Sequence, residues 1–175
     1  MKKLLTTASA ALLLAGIAAQ AQASDGIITF KGEISAVSCT PSVSGGTATS
    51  TVTLPTVSTK ALAVANTTAG STQFSIALTN CGGGTKAATW FEAGSTVDAA
   101  SGRLTNAAGD AFAKNVQVAL HNSDDSQIVI GRNASTAVDI VNQGATMNFN
   151  ARYYATAAAT AGRVETSVNY TIQYQ

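Results

Sequence analysis

Apolar and polar residues alternate with period two along most of this chain. Successive strand side chains point to opposite faces, so that pattern dictates half-buried β-strands and argues against helices. Val52 and Leu54 alternate with Thr51 and Thr53. Phe74, Ile76 and Leu78 alternate with Gln73, Ser75 and Thr79, and Val116, Val118 and Leu120 with Asn115, Gln117 and His121. Ile128 and Ile130 form a short apolar run closed by Gly131. Met147, Phe149 and Ala151 alternate with Asn148, Asn150 and Arg152. Finally Val168, Tyr170, Ile172 and Tyr174 alternate with Asn169, Thr171, Gln173 and Gln175.

Between the runs stand turn formers, among them Ser44-Gly45-Gly46, Gly82-Gly83-Gly84, Asn122-Ser123-Asp124-Asp125 and Asn142-Gln143-Gly144. Many short strands separated by polar turns predict an all-β antiparallel sandwich or barrel. The Ala-rich stretch 155–161 is short and ends at Gly162, and it reads as loop. No repeat or linker divides the sequence, and its 175 residues suit one domain with its own core.

The first residues carry a different signal. Lys2 and Lys3 precede an apolar stretch, 4–19, that leads to Ala21-Gln22-Ala23. This is the pattern of a secretory leader, with cleavage expected after Ala23 and a membrane anchor as the bland alternative. Removing Lys2 and Lys3 from 10 basic residues leaves 8 against 9 acidic ones, a net charge of −1. Such a chain lacks the basic footprint that nucleic acid or an anionic lipid surface requires. Export also places Cys39 and Cys81 in an oxidising compartment, where two thiols predict a disulfide.

Both ends of the expected mature chain are apolar on one face. Gly26, Ile28, Phe30, Gly32 and Ile34 share one side of an extended segment, while Thr29, Lys31 and Glu33 share the other, with Ile27 the exception. Chain ends are usually polar and frayed unless something ties them down. Composition alone favours a first strand that pairs within its own domain. The other reading is a strand given to a second molecule. The C-terminal run is equally regular, and a strand there invites addition of another at its free edge. One strand to give and one edge to receive suggest a head-to-tail contact that does not close.

These residues resemble the major pilins of type 1 fimbriae. The resemblance rests on ITFKGEISAVSC at the start, FSIALTNC before Gly82, and ARYYATAAATAGRVETSVNYTIQYQ at the end. The two-cysteine spacing matches as well. What the resemblance implies is an incomplete immunoglobulin-like sandwich that lacks its final strand and is completed by donor-strand exchange. It implies a leader over 1–23, a donor extension over 24–34 and a pilin domain over 35–175, exported through the periplasm to the cell surface. Gly26, Ile28, Phe30, Gly32 and Ile34 would fill the groove, one glycine lying in a shallow pocket, and Val168, Tyr170, Ile172 and Tyr174 would form its edge. Part of 33–39 would already belong to the subunit's own first strand. The implied partners are other copies of the chain, a periplasmic chaperone, an outer-membrane usher and minor or tip pilins. A minor or adaptor pilin is the alternative within the family.

No constellation for catalysis stands out. The one histidine, His121, reads as a solvated side chain near a turn, and Ser-His-Asp chemistry would need it as base. One histidine and two paired cysteines are too few for zinc, and Asp124-Asp125 lacks a calcium loop around it. No cofactor and no metal are expected. Trp90 and Phe91 could offer a sugar platform, but adjacent strand residues face opposite ways, so one belongs to the core. A secreted carbohydrate-binding module is therefore the alternative from another class.

Overall fold

The longest alternating run becomes the backbone of the fold. Strand β2 spans Thr68–Thr79 and buries Phe74, Ile76 and Leu78 on one face. It pairs antiparallel with β9, Ala145–Ala155, which buries Met147, Phe149 and Ala151 opposite them. The register slips between Ala69 and Thr72. Gly70 sits there at φ +64°, and a Cβ on it would meet the Tyr153 ring at 2.9 Å, so only glycine fits the bulge.

The computed structural model describes residues 26–32, 34 and 36–175. The leader, its cleavage site, Ser24, Asp25, Glu33 and Ser35 lie outside the described residues. The chain divides into two units, 1–34 and 35–175. In the first, the described residues form no strand, and Ile27, Ile28, Phe30 and Ile34 are exposed. This differs from the amphipathic strand expected there. An extended segment is a strand only when a neighbour supplies its ladder hydrogen bonds.

In the second unit two antiparallel sheets face each other. The larger contains β1 (Thr40–Val43), β2, β9, β6 (Val116–Asn122), β5 (Arg103–Thr105) and β4 (Val97–Asp98) in that order. A short β7, Gln127–Ile128, pairs with β6. The smaller sheet has the order β10 (Tyr170–Tyr174), β3 (Lys86–Phe91), β8 (Val138–Asp139). Their inner faces share a core in which Phe149 packs against Phe74 and Phe91, with ring centroids 5.2 and 5.5 Å apart. Phe91 is buried and Trp90 only half-buried, as alternation along one strand requires.

Three expectations are corrected. Val52 and Leu54 pack inward as expected, but their segment is not a strand, because its backbone has no partner. Val168 lies two residues before β10 begins, although it too packs on the core. Strand β6 is covered on both faces: Gln117 and Ala119, on its nominally polar side, are buried with Val118 and Leu120. His121 is accordingly only 13 % exposed rather than solvated.

Candidate functional site: an open groove between the two sheets

The seam between β10 and the chain that follows β1 is open along most of its length. A groove of about 900 Å³ runs there. Its floor is the shared core, with Phe74, Phe91, Leu104, Val118 and Leu120 reaching it from four different strands. One lip is formed by residues 48–54, and the other by 164–170 together with Ile172.

The backbone chemistry of both lips is unfinished. Among the described residues, 50–57 make no backbone–backbone hydrogen bond. Their chain is nevertheless anchored, because Val52 and Leu54 pack on the main core and Val57 on a smaller cluster around Leu62. On the other lip, bonding runs to one side only. The Glu92 amide donates to the Asn169 carbonyl at 2.9 Å, and Gln175 and Lys86 exchange both bonds, at 3.0 and 3.1 Å. Since N–H and C=O alternate sides along a strand, the even-numbered residues Val168, Tyr170 and Ile172 aim theirs at the groove. Their side chains, with those of Val164 and Tyr174, pack against the core. The site is therefore one strand wide, apolar beneath and lined by hydrogen-bonding edges on both sides, which is the environment of a missing central strand.

The end of the groove near Tyr174 is tied shut. Cys39 and Cys81 form a disulfide across a sequence separation of 42. The Cys39 amide donates to the Tyr174 hydroxyl at 3.0 Å, and the Gly82 amide to the Ser38 carbonyl at 3.1 Å. Farther along, the Tyr170 hydroxyl donates to the Ala48 carbonyl at 2.8 Å, spanning the groove from lip to lip. Burial pushes the Tyr170 phenol above its ordinary pKa, so it remains a donor.

Polar clusters elsewhere are bonded mainly within themselves, although the buried Nε atoms of Arg103 and Arg152 find no hydrogen-bond partner among the described residues. The Asp98 carboxylate accepts from Gln117, Ser101 and the Ala100 amide, and these bonds, that from Gln117 foremost, lower its pKa from 3.8 to about 2. Asp125 forms an ion pair with Arg152, whose hydrogen bond is the main reason its carboxyl titrates below the usual range. The His121 Nδ1 lies 2.9 Å from the Asp125 carbonyl. A second cleft of about 360 Å³ beside Phe112 has its amides spent: Asn106 donates to two carbonyls and accepts from Glu165, and Asn115 donates to Ala158. Among the described residues no group of three metal-ligating side chains gathers.

The sequence-expected edge residues Val168, Tyr170 and Ile172 thus meet at the groove, with Tyr174 at its closed end. Sequence reasoning missed the whole facing lip as an unpaired edge. It also missed Ala48, whose only role is a backbone carbonyl and which no side-chain signal could reveal.

Comparison with known proteins points the same way. The family described as "FimA: Type-1 fimbrial protein, A" matches residues 54–175. The major fimbrial subunit SMF-1 of Stenotrophomonas maltophilia is 45% identical over 170 residues, covering 93% of this chain and 99% of that protein. The fold is shared with a solved chaperone-usher pilus at TM-score 0.62 and 19% identity, over 87% of this chain and 96% of that one. It is shared with the P pilus rod subunit PapA at TM-score 0.61 and 18% identity, over 78% and 99%.

Proposed function

Because the chain belongs to the type-1 fimbrial protein family, we propose that it polymerises head to tail by donor-strand exchange. It is a structural subunit of a surface fimbria with an immunoglobulin-like sandwich fold. In the proposed mechanism, residues 1–23 are removed on export, and residues 24–34 leave the subunit as an extension. That extension enters the groove of the next copy's domain, 35–175. Gly26, Ile28, Phe30, Gly32 and Ile34 then face the core, and the extension's backbone completes the ladders of both lips. A periplasmic chaperone occupies the same groove beforehand, an outer-membrane usher exchanges it, and minor or tip pilins end the fibre.

The open groove carries this reading, because it combines an apolar floor with two hydrogen-bonding edges. The exposed segment supplies the matching strand. Ile28, Phe30 and Ile34 are 82 %, 90 % and 103 % exposed, and burying three such side chains contributes about 5–9 kcal/mol. A domain's whole stability is about 5–15 kcal/mol, so filling the groove decides whether the subunit is stably folded.

The test removes residues 24–31 and appends a copy of 24–34 behind the C-terminus through a Gly/Ser linker. A short flexible linker holds the copy at an effective concentration of order mM. The expected product is a soluble monomer with a higher denaturant midpoint than the deletion alone. A deletion that is already a stable monomer, or an appended copy that gives no rise, overturns the proposal.

A further inference from the structure

Only one lip of the groove carries charge. The facing lip, 48–54, reads ATSTVTL, whereas the chain leading into β10 presents Arg163 and Glu165. Both residues are exposed, and neither forms an ion pair among the described residues. Their carbonyls are spent on the side away from the groove: that of Arg163 accepts from the Ala113 amide at 2.9 Å, and that of Glu165 from the Ala107 amide at 3.0 Å. Val164, between them, packs on the core, and the Thr166 hydroxyl is buried. Alternation therefore places Arg163 and Glu165 together on the outer face of this lip, two residues apart. The N-terminal segment carries its own charges at the same spacing. Lys31 and Glu33 share the face opposite Ile28, Phe30 and Ile34.

Direction follows from the closed end. Residue 34 must leave the groove to join its own domain, and the end near Tyr174 is tied by the disulfide and the Cys39–Tyr174 bond, so it leaves beside Val164. The seated segment then runs antiparallel to β10. Its apolar face must stay inward, so its register changes only in steps of two residues. Lys31 opposite Glu165 puts Glu33 opposite Arg163, which gives two attractions. A step one way sets Lys31 against Arg163, and a step the other way sets Glu33 against Glu165. Like charges directly opposite are destabilising. The attractive register also sets small residues against large ones: Gly26 falls opposite Tyr170, Phe30 opposite Thr166 and Ile34 opposite Gly162. Ser24 reaches Ile172 and stops short of the closed end.

We propose that Lys31–Glu165 and Glu33–Arg163 pair across the joint between successive copies and fix the register of the seated strand. This inference rests on the donor-strand reading and adds specificity-determining charges to it. It concerns the strand once in place, whatever fills the groove beforehand. An extension with the same apolar face but another order of charges would meet like charges on this lip, which is discrimination by repulsion.

The experiment treats assembled wild-type fibres with a water-soluble carbodiimide. The reagent condenses a lysine amine with a touching carboxylate into an amide and takes up the released water as its urea. Lys86 and Asp139, 2.5 Å apart within one copy, serve as the internal standard. Mass spectrometry of the digest is expected to find Lys31 joined to Glu165. With the standard linked, Lys31 left free or joined to another carboxylate overturns the charge register. Charge reversal gives a second readout. Lys31→Glu and Glu165→Lys each set like charges opposite, and subunit release from fibres in urea at low salt is expected to be roughly two- to fivefold faster, the range of one cross-strand charge pair. The two changes together restore the attraction and are expected to restore the wild-type rate. A double variant that releases as fast as the single variants overturns the proposal. Should a single variant build no fibres, the double variant must build them, and its failure to do so overturns the proposal as well. The donor-strand reading falls separately, by the appended-copy test above.

Discussion

Phe30 offers the sharpest test of which face of the N-terminal segment is read. In the described structure its ring is 90 % exposed, so the subunit's own fold gains nothing from it. In a neighbour's groove it would meet a floor that includes Phe74, Phe91 and Leu120. Fully burying a side chain of this kind contributes about 1.5–3 kcal/mol, or roughly ten- to 150-fold in affinity. A peptide of residues 24–34 carrying Phe30→Ala is therefore expected to bind the full chain weaker by that factor. Thr29→Ala, on the opposite face, is expected to change affinity less than threefold, as surface substitutions do. Fluorescence anisotropy of labelled peptides reads both constants. Equal losses from the two peptides would mean that the segment binds without a fixed face, and the strand-insertion argument would fail.

Gly32→Val tests the same face by adding volume. A Cβ at Gly32 meets nothing within 4 Å in the subunit itself, so thermal unfolding of the monomer should not move while fibre growth seen by electron microscopy falls. Normal fibres would show that Gly32 faces no confined pocket. Replacing both Cys39 and Cys81 by serine opens a loop with a sequence separation of 42, for which chain entropy gives about 4 kcal/mol. A denaturant midpoint unchanged from that of the oxidised wild type would refute that contribution. Asp98 predicts an acid limb. Its folded pKa lies near 2, below the ordinary 3.8, so its stabilisation is complete above pH 4 and is lost as pH falls through 2. Asp98→Asn should remove that part of the slope from midpoints measured between pH 2 and 5, and an identical slope in both proteins would refute the assignment.

The described residues also show how far local pattern reaches. Alternation located β2, β9 and β10 because each buries one face against the opposite sheet, and it located β6 although both faces of that strand are covered. It missed β3, whose sequence KAATWF buries Ala87, Ala88 and Thr89 in succession and so leaves no period to read. At 51–54 it found an extended segment whose inward residues were right but whose pairing was absent.

By itself the sequence determined the all-β class, an apolar N-terminal segment and a C-terminal edge, since each depends on residue type and spacing within a few positions, and it determined the disulfide because a leader and two cysteines leave one pairing. Only the tertiary structure decided that residues 48–54 and the chain from Val164 into β10 face each other across an unfilled seam. A missing neighbour is a property of how strands are ordered in two sheets, and no run of residues encodes it locally. The Tyr170–Ala48 bridge belongs to the same class. It joins a side chain to a backbone carbonyl 122 positions away, and the backbone at Ala48 is chemically the same as at any other residue until the fold brings a phenol to it.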